Sequence, residues 1–489
     1  MAESLKEKTV KGTFWSAADA FLGQGVTFLI GIILARLLSP AEYGLIGICT
    51  IFTTVLYGVV DSGFSSALIR KNDITDADYN TMFITNMVIS ILMFTGLYIC
   101  SPLIADFFER AELVKLIRVM GLILIFQALS ITQVTILTKR IDFKTKTKAS
   151  LFSAIFSGVI GIVMAFNGFG VWSLVGQQLS KQLLYTMSLW FLNKWWPCFV
   201  FNCDSFHYMW SFGWKMMLSG IMSNTWSQLY QVVIGKIYSP TSLGQFSRAN
   251  EYANLFSANF TAIIQRVTYP VLAEVQNDAE HMVMAYRRIV KTSMFVTSVC
   301  MISLGAMAEP FIYTLIGSKW HEAATYLPLL CISMSFYPLH AINLNMLQVL
   351  GRSDIFLILE IIKKIIGLIP ICLGIFVSIY WMLIGSIFVG IISFFLNSYY
   401  TGSKLNYSSW RQIVDISPAY GVAFIIAISI YFFKYLPYSS LVIFVLQVFV
   451  GVVVAVVSCE LIRVDGYLEV KGIVQEASRK IYCLLRKRK

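Results

Sequence analysis

Apolar runs, each about as long as a bilayer is thick, follow one another from the first tens of residues almost to the C-terminus, separated only by short polar breaks. Roughly 20 such residues cross a membrane as a helix, because a helix satisfies every backbone N–H and C=O within itself. Bounded by charge, Gly, Pro or Asn, the windows fall near 12–37, 42–68, 80–105, 114–137, 149–167, 170–192, 207–235, 243–268, 288–315, 324–349, 355–376, 379–401, 415–434 and 438–462. The expected fold is therefore an all-α polytopic membrane protein of about 14 transmembrane helices. Composition leads the same way: 57% of the 489 residues are hydrophobic and 13% charged, against roughly a quarter charged in soluble chains. No stretch is left for a soluble catalytic domain, so function has to sit among the helices.

The net charge of +12 does not point to nucleic acid, because the cations concentrate in short loops and at the two ends. With a cytoplasmic N-terminus, Lys and Arg divide about 25 to 6 in favour of the inside segments. Both termini are then cytoplasmic, and the first run, which lacks a small-residue cleavage site, is an uncleaved span. From Arg463 the apolar residues Tyr467, Val470, Val474, Ala477, Ile481 and Leu484 recur at three- and four-residue steps. That spacing predicts a basic amphipathic helix on the anionic inner leaflet.

A repeat organises the chain. Arg36-Leu37-Leu38-Ser39-Pro40-Ala41-Glu42-Tyr43-Gly44 follows the first span, and Lys236-Ile237-Tyr238-Ser239-Pro240-Thr241-Ser242-Leu243-Gly244 follows the seventh. Arg140 and Asp142 likewise have counterparts in Arg352 and Asp354. Both copies of the longer motif come after equivalent spans, so the repeat is parallel, with its axis along the membrane normal. The expected divisions are an N-lobe at 1–192, a cytoplasmic linker at 193–206, a C-lobe at 207–401, two further helices at 402–462 and the basic tail at 463–489. Two six-helix lobes of this kind are the architecture of an alternating-access carrier.

Polar side chains in hydrocarbon mark the faces that meet protein or water. Asn224, Gln228 and Gln231 share one face of the seventh span, and Asn254 and Gln265 lie with Glu251 and Thr261 on the eighth, beside Arg266. These stripes suit a cavity that hydrogen-bonds a polar cargo, or hydrogen bonds that glue helices together. Among charged residues within or near spans, cations predominate: Arg36, Arg118, Lys181, Lys215, Arg266, Lys363 and Lys364 are the candidates for binding an anionic headgroup. Snorkelling of Lys215, Lys363 and Lys364, and an ion pair of Glu360 with Lys364, are the plainer readings for that group. Asp19 and Asp61 are candidates for binding a coupling proton or sodium ion, or for neutralising a neighbouring cation.

Chemistry finds no support. The chain has no Walker A sequence, His321-Glu322 lacks a second His at zinc spacing, and Gly168-Phe169-Gly170 lacks the third Gly of a dinucleotide site. The nine cysteines read as free thiols, with no metal and no resident cofactor expected.

Gly12-Thr13-Phe14-Trp15-Ser16, Leu34-Ala35 ahead of the first repeat motif, Asp61-Ser62-Gly63-Phe64, Gly244-Gln245-Phe246-Ser247-Arg248-Ala249, Gln265-Arg266-Val267-Thr268-Tyr269-Pro270 and Gly317-Ser318-Lys319-Trp320 together resemble the polysaccharide transporter family of the MOP superfamily. Within it, the likeness is greatest to the Wzx-type flippases of the colanic acid and teichuronic acid export branch. The resemblance implies a bacterial inner-membrane protein that moves an undecaprenyl-pyrophosphate-linked oligosaccharide to the outer leaflet for O-antigen, capsule or exopolysaccharide synthesis. It implies a cationic cavity, and a polysaccharide polymerase and chain-length regulator as partners. Another MOP carrier, such as a lipid II flippase or a multidrug antiporter, is the nearest alternative. A membrane glycan polymerase or ligase is the alternative from another class, although the outside loops are short and poor in His.

Overall fold

The computed structural model describes residues 15, 22–274, 278–405, 407–472, 475 and 479, with some side chains in 258–279, at 353 and in 403–405 outside the description. The described residues are helical and contain no strand. Each apolar window is occupied by one helix or by two in succession. In chain order these are α1 (Gln24–Leu37), α2 (Pro40–Asp61), α3 (Phe64–Arg70), α4 (Asp76–Phe107), α5 (Leu113–Met120), α6 (Leu122–Lys139), α7 (Phe143–Phe166), α8 (Val171–Asn193) and α9 (Cys203–Ile237). There follow α10 (Pro240–Glu274), α11 (Ala279–Ala306), α12 (Ala308–Ile316), α13 (His321–Ser335), α14 (Tyr337–Val349), α15 (Ser353–Ile366), α16 (Leu368–Phe376), α17 (Ile379–Leu405), α18 (Ser409–Tyr431) and α19 (Ser440–Ile462).

Nine helical stretches among the described residues are long and apolar enough to cross a membrane, and α1 is a shorter apolar helix. Several outrun the bilayer: α4, with 32 residues, is about 48 Å long at 1.5 Å per residue. The expected windows captured the apolar middle of such helices but not their polar ends, such as Asp76 and Asp78 of α4.

By contacts the chain divides into two compact units, Met1–Ser247 and Arg248–Lys489, with α10 beginning in the first and continuing in the second. In the first unit α7 and α8 form a tight hairpin, and α9 packs on α2 and α3. Small residues allow the close approach. A Cβ on Gly161 would meet Gln177 at 2.7 Å, and one on Gly158 would meet Ile30 at 2.1 Å. The second span breaks where Ser62 and Gly63 both take positive φ, 54° and 67°. A Cβ on Gly63 would stand 2.5 Å from the Gly213 carbonyl oxygen of α9, so the break also lets two backbones touch.

The two copies of the repeat fold alike. Ser39 caps α2, with its hydroxyl accepting from the Glu42 N–H and the Glu42 carboxylate returning to the Ser39 N–H at 2.6 Å. Pro40 is the first helical residue. In the second copy Ser239 Oγ accepts from Ser242 N–H at 3.1 Å, and Pro240 opens α10. A Ser cap followed by Pro is a strong helix start, because Pro lacks the N–H that a first turn leaves unsatisfied. Within the first unit the two motifs also meet: a Cβ on Gly44 would lie 1.8 Å from Pro240 O, and one on Gly244 would lie 1.9 Å from Pro40 O. The contact is reciprocal, as two related copies about an axis require.

In the second unit α11 packs on α18, α18 on α19 and α16 on α17. One buried carboxamide joins four helices: Asn343 Oδ1 of α14 accepts from Tyr286 Oη of α11 and Thr401 Oγ1 of α17, each at 2.8 Å, while its Nδ2 donates to Gln412 Oε1 of α18 at 3.2 Å. A satisfied polar network of this kind fixes which helices pack together, since apolar packing alone has little directional preference in lipid.

Candidate transport site

Helices α8, α9 and α10 are not among the nine apolar stretches, although each has more than 18 residues. Their polar residues lower their hydropathy: Gln177, Gln178, Lys181 and Gln182 on α8, the carboxamide stripe on α9, and Glu251, Asn254 and Gln265 on α10. A spanning helix too polar for lipid has a face turned to protein or water.

On α9 the stripe turns toward α2 at its first member, where Asn224 Nδ2 donates to Thr54 O at 3.3 Å beside Gly58, whose Cβ would stand 3.0 Å from that nitrogen. Gln228 and Gln231 are half-buried, and Gln228 Oε1 is an enclosed acceptor without a protein donor. Lys181 is half-buried on α8, one residue from Gln182, which donates to Ser130 Oγ of α6 at 3.2 Å. Lys215 is exposed on α9, with its ammonium 5.9 Å from the Trp214 ring. Arg36 is exposed at the end of α1.

Arg118 is the cation whose surroundings are most telling. Half-buried on α5, it donates from Nε to Ser101 Oγ at 2.9 Å and lies 4.3 Å from the centre of the Tyr98 ring on α4. A hydroxyl and a ring face hold a guanidinium in place without cancelling its charge, which leaves it able to attract an anion.

In the second unit Asn254 is half-buried and Gln265 exposed on α10. The side chain of Arg266 lies outside the described residues, as does Asp19 in the first unit. Glu251 is taken up by Arg248 at 2.6 Å. On α15 the partner of Glu360 is Lys363, three residues on, rather than Lys364; the i,i+3 spacing is as good as i,i+4 on a helix surface. Lys364 is half-buried. Asp61 is half-buried and accepts from Ser65 Oγ at 2.6 Å, a local bond across the α2–α3 break.

Two carboxylates that the sequence reading passed over are the most heavily partnered. Asp78 of α4 is fully buried and bound by Lys71 Nζ at 2.8 and 2.9 Å and by Thr75 N–H at 2.8 Å. Asp415 of α18, 8% exposed, receives Arg287 in a bidentate pair at 2.8 and 2.9 Å, Tyr407 Oη at 2.7 Å and Lys291 at 3.3 Å. The available signal was a carboxylate at the edge of each apolar window, with cations in the loops of the same sidedness. Lys291 also reaches Asp465, at 2.7 Å, and Arg288 reaches Glu469. The start of the tail, helical at 465–472 as its periodicity predicts, docks on α11, with Val464 buried and Tyr467 edge-on to Phe295. Val474, Ala477, Ile481 and Leu484 are outside the described residues.

A cavity of about 380 Å³ lies among Arg287, Arg288, Lys291, Asp465 and Glu469. It is large enough for a small ligand, but three cations there face Asp415, Asp465 and Glu469. A balanced cluster holds helices together and makes a poor receptor for a pyrophosphate. The loops are balanced in the same way. Lys236 hydrogen-bonds Glu109 and holds its carboxyl below the usual range, and the bidentate Arg352 pulls Asp354 down to about 2. Among the described residues no group of His, Cys, Asp and Glu is placed to hold a metal, and the eight described cysteines are free.

A profile described as "Polysaccharide biosynthesis protein" matches residues 33–325. The chain belongs to this family. Relatives of this polysaccharide biosynthesis protein include the Succinoglycan biosynthesis transport protein ExoT of Rhizobium meliloti, 27% identical over 68% of each chain. The Teichuronic acid biosynthesis protein TuaB of Bacillus subtilis is 24% identical over 72% of this chain and 73% of its own. The Lipopolysaccharide biosynthesis protein WzxC of Escherichia coli is 21% identical over 67% of each. Among solved structures, the Lipid II flippase MurJ in an inward closed conformation superposes with a TM-score of 0.72 at 17% identity, covering 92% of this chain and 98% of the other. An inward-facing multidrug resistance MATE family transporter of the MOP superfamily gives 0.60 at 17% identity, covering 79% and 96%. The fold is that of the MOP carriers, and the protein is a multi-pass membrane protein.

Proposed function

We propose that this polysaccharide biosynthesis protein is a flippase that carries an undecaprenyl-pyrophosphate-linked oligosaccharide repeat unit from the cytoplasmic to the outer leaflet of a bacterial inner membrane. The observation that carries the proposal is the family match over 33–325, on a chain whose fold is that of carriers and whose polar residues gather on spanning helices. In this reading both termini are cytoplasmic, the orientation that the distribution of loop cations supports.

The pyrophosphate is drawn by the cations of the spanning helices, with Arg118, Lys181, Lys215 and Arg266 foremost and Arg36, Lys363 and Lys364 in reserve; of these, Arg118 is held by a hydroxyl and a ring face, and Lys363 is paired with Glu360. The carboxamides Asn224, Gln228, Gln231, Asn254 and Gln265 hydrogen-bond sugar hydroxyls, and the isoprenoid tail stays in hydrocarbon. A proton or sodium gradient supplies the energy, with Asp61 or Asp19 as the coupling carboxylate. Binding a dianion in a low-dielectric chamber costs many kcal/mol unless cations replace its water, and that cost is the physical reason for the cationic excess.

The test is deletion of the gene in its host. Surface polysaccharide is lost, the lipid-linked repeat unit accumulates on the cytoplasmic side, and the wild-type gene restores export. Normal glycan together with lost efflux of cationic dyes would transfer the protein to the drug antiporters. Accumulation of single repeat units already on the outer face would indicate a polymerase.

A further inference from the structure

The connection between α8 and α9 is a pinned strap that exposes its apolar side chains. Gln133 Nε2 donates to Trp195 O at 2.9 Å, Cys198 N–H donates to Asn80 Oδ1 at 2.8 Å and Asn202 N–H donates to Thr81 Oγ1 at 3.0 Å. Asn80 and Thr81 are themselves buried, at 5% and 0% exposed. The Trp195 ring stands edge-on to Tyr79 and Phe83, and Trp196 to Trp190. The backbone is thus held in one course, yet Trp196, Phe199, Val200 and Phe201 are 65%, 87%, 55% and 48% exposed.

A water-borne linker has no reason to be fixed in place with Phe and Val pointing outward, because apolar surface held in water is unfavourable in proportion to its area. Cations surround the strap. Lys194 begins it, Arg140 Nη1 reaches Asn193 Oδ1 at 3.3 Å, and Lys139 Nζ is seated on the Ile69 and Lys71 carbonyls. Aromatic tips beside Lys and Arg are the chemistry of the boundary between headgroups and acyl chains.

We infer that residues 194–202 are an interfacial anchor whose apolar side chains enter the inner leaflet, with Lys194, Arg140 and Lys139 taking anionic phospholipid headgroups. The link between the two halves of the sequence is then held at the membrane surface rather than in the cytosol. The leaflet assignment rests on the orientation proposed above; the lipid contact itself does not depend on the flippase reading.

The test uses the full-length protein in nanodiscs of phosphatidylethanolamine and phosphatidylglycerol, with Phe199→benzoylphenylalanine as the photoprobe. The same probe at Phe449, 67% exposed on α19, is the lipid-facing control. Irradiation at position 199 yields phospholipid adducts by intact mass, in yield comparable to the control and enriched in phosphatidylglycerol. Adducts at 449 with none at 199, or adducts at 199 to a second copy of the chain, overturn the anchor. Lipid adducts without enrichment overturn the role of the cations.

Discussion

Replacing Gly44 with Ala tests the contact between the two repeat motifs. The new Cβ would lie 1.8 Å from Pro240 O, 2.5 Å from its carbonyl carbon and 2.8 Å from its Cα, and ordinary contact begins at 3.4 Å. The backbones have to part by about 1.6 Å, and since the obstructing atoms are main chain, no rotamer change relieves the clash. Overpacking of this severity costs about 3 kcal/mol, roughly a hundredfold in the population of the packed form. Gly244→Ala meets Pro40 O at 1.9 Å and costs a similar amount. Because each substitution opens the same crossing, the double variant costs less than the sum. Thermal unfolding of the detergent-purified protein measures all three, with Gly96→Ala, which has nothing within 4 Å, as the neutral control. Single variants as stable as the control, or a strictly additive pair, would refute the reciprocal contact.

Asp415→Asn leaves Arg287 without its carboxylate while Lys291 keeps Asp465. Because the Arg287 side chain is 45% exposed, the cost is about 1 kcal/mol, read as a lowered unfolding temperature; an unchanged value would show that the cluster adds nothing to stability. Arg118→Gln removes a cation held by a hydroxyl and a ring, and costs about 1 kcal/mol of stability. It lowers surface glycan about tenfold or more, as the loss of a charge-assisted contact of roughly 1.5 kcal/mol predicts. Arg118→Lys, which keeps the charge but not the planar fork, is intermediate. Arg266→Ala impairs glycan display at normal protein level, scored by antibody or lectin against membrane-fraction immunoblots; full display would remove Arg266 from the site.

Helix positions were legible because spanning segments obey a simple rule about apolar length; the two Ser-Pro motifs were visible as a repeat, and the structure shows them to be helix starts at Pro40 and Pro240. The breaks were not legible. Ser62 and Gly63, and the switch from α13 to α14 at Phe336, interrupt stretches whose mean hydropathy stays high in spite of Asp61, so an averaged window passes over them. Pairings across helices were equally hidden: Arg287 and Asp415 are 128 residues apart, and the two were visible only as a loop cation and the first residue of a span. The sequence offered Lys364 as an ion-pair partner for Glu360, and the structure gives it Lys363, because both spacings lie on one helical face. The tail periodicity was readable, but the docking of 465–472 on α11 depends on Asp465 and Glu469 meeting cations from another helix, which periodicity does not contain.

The most direct test of the central claim is reconstitution of the purified protein in liposomes loaded on one leaflet with a fluorescent undecaprenyl-pyrophosphate oligosaccharide, followed by a membrane-impermeant reagent that destroys fluorophore on the outer face. The account predicts that the protected fraction becomes accessible with the wild-type protein, more slowly with Arg118→Gln, and not in empty liposomes. Transfer no faster than in empty liposomes, under either a proton or a sodium gradient and with the protein shown to be folded, would contradict it.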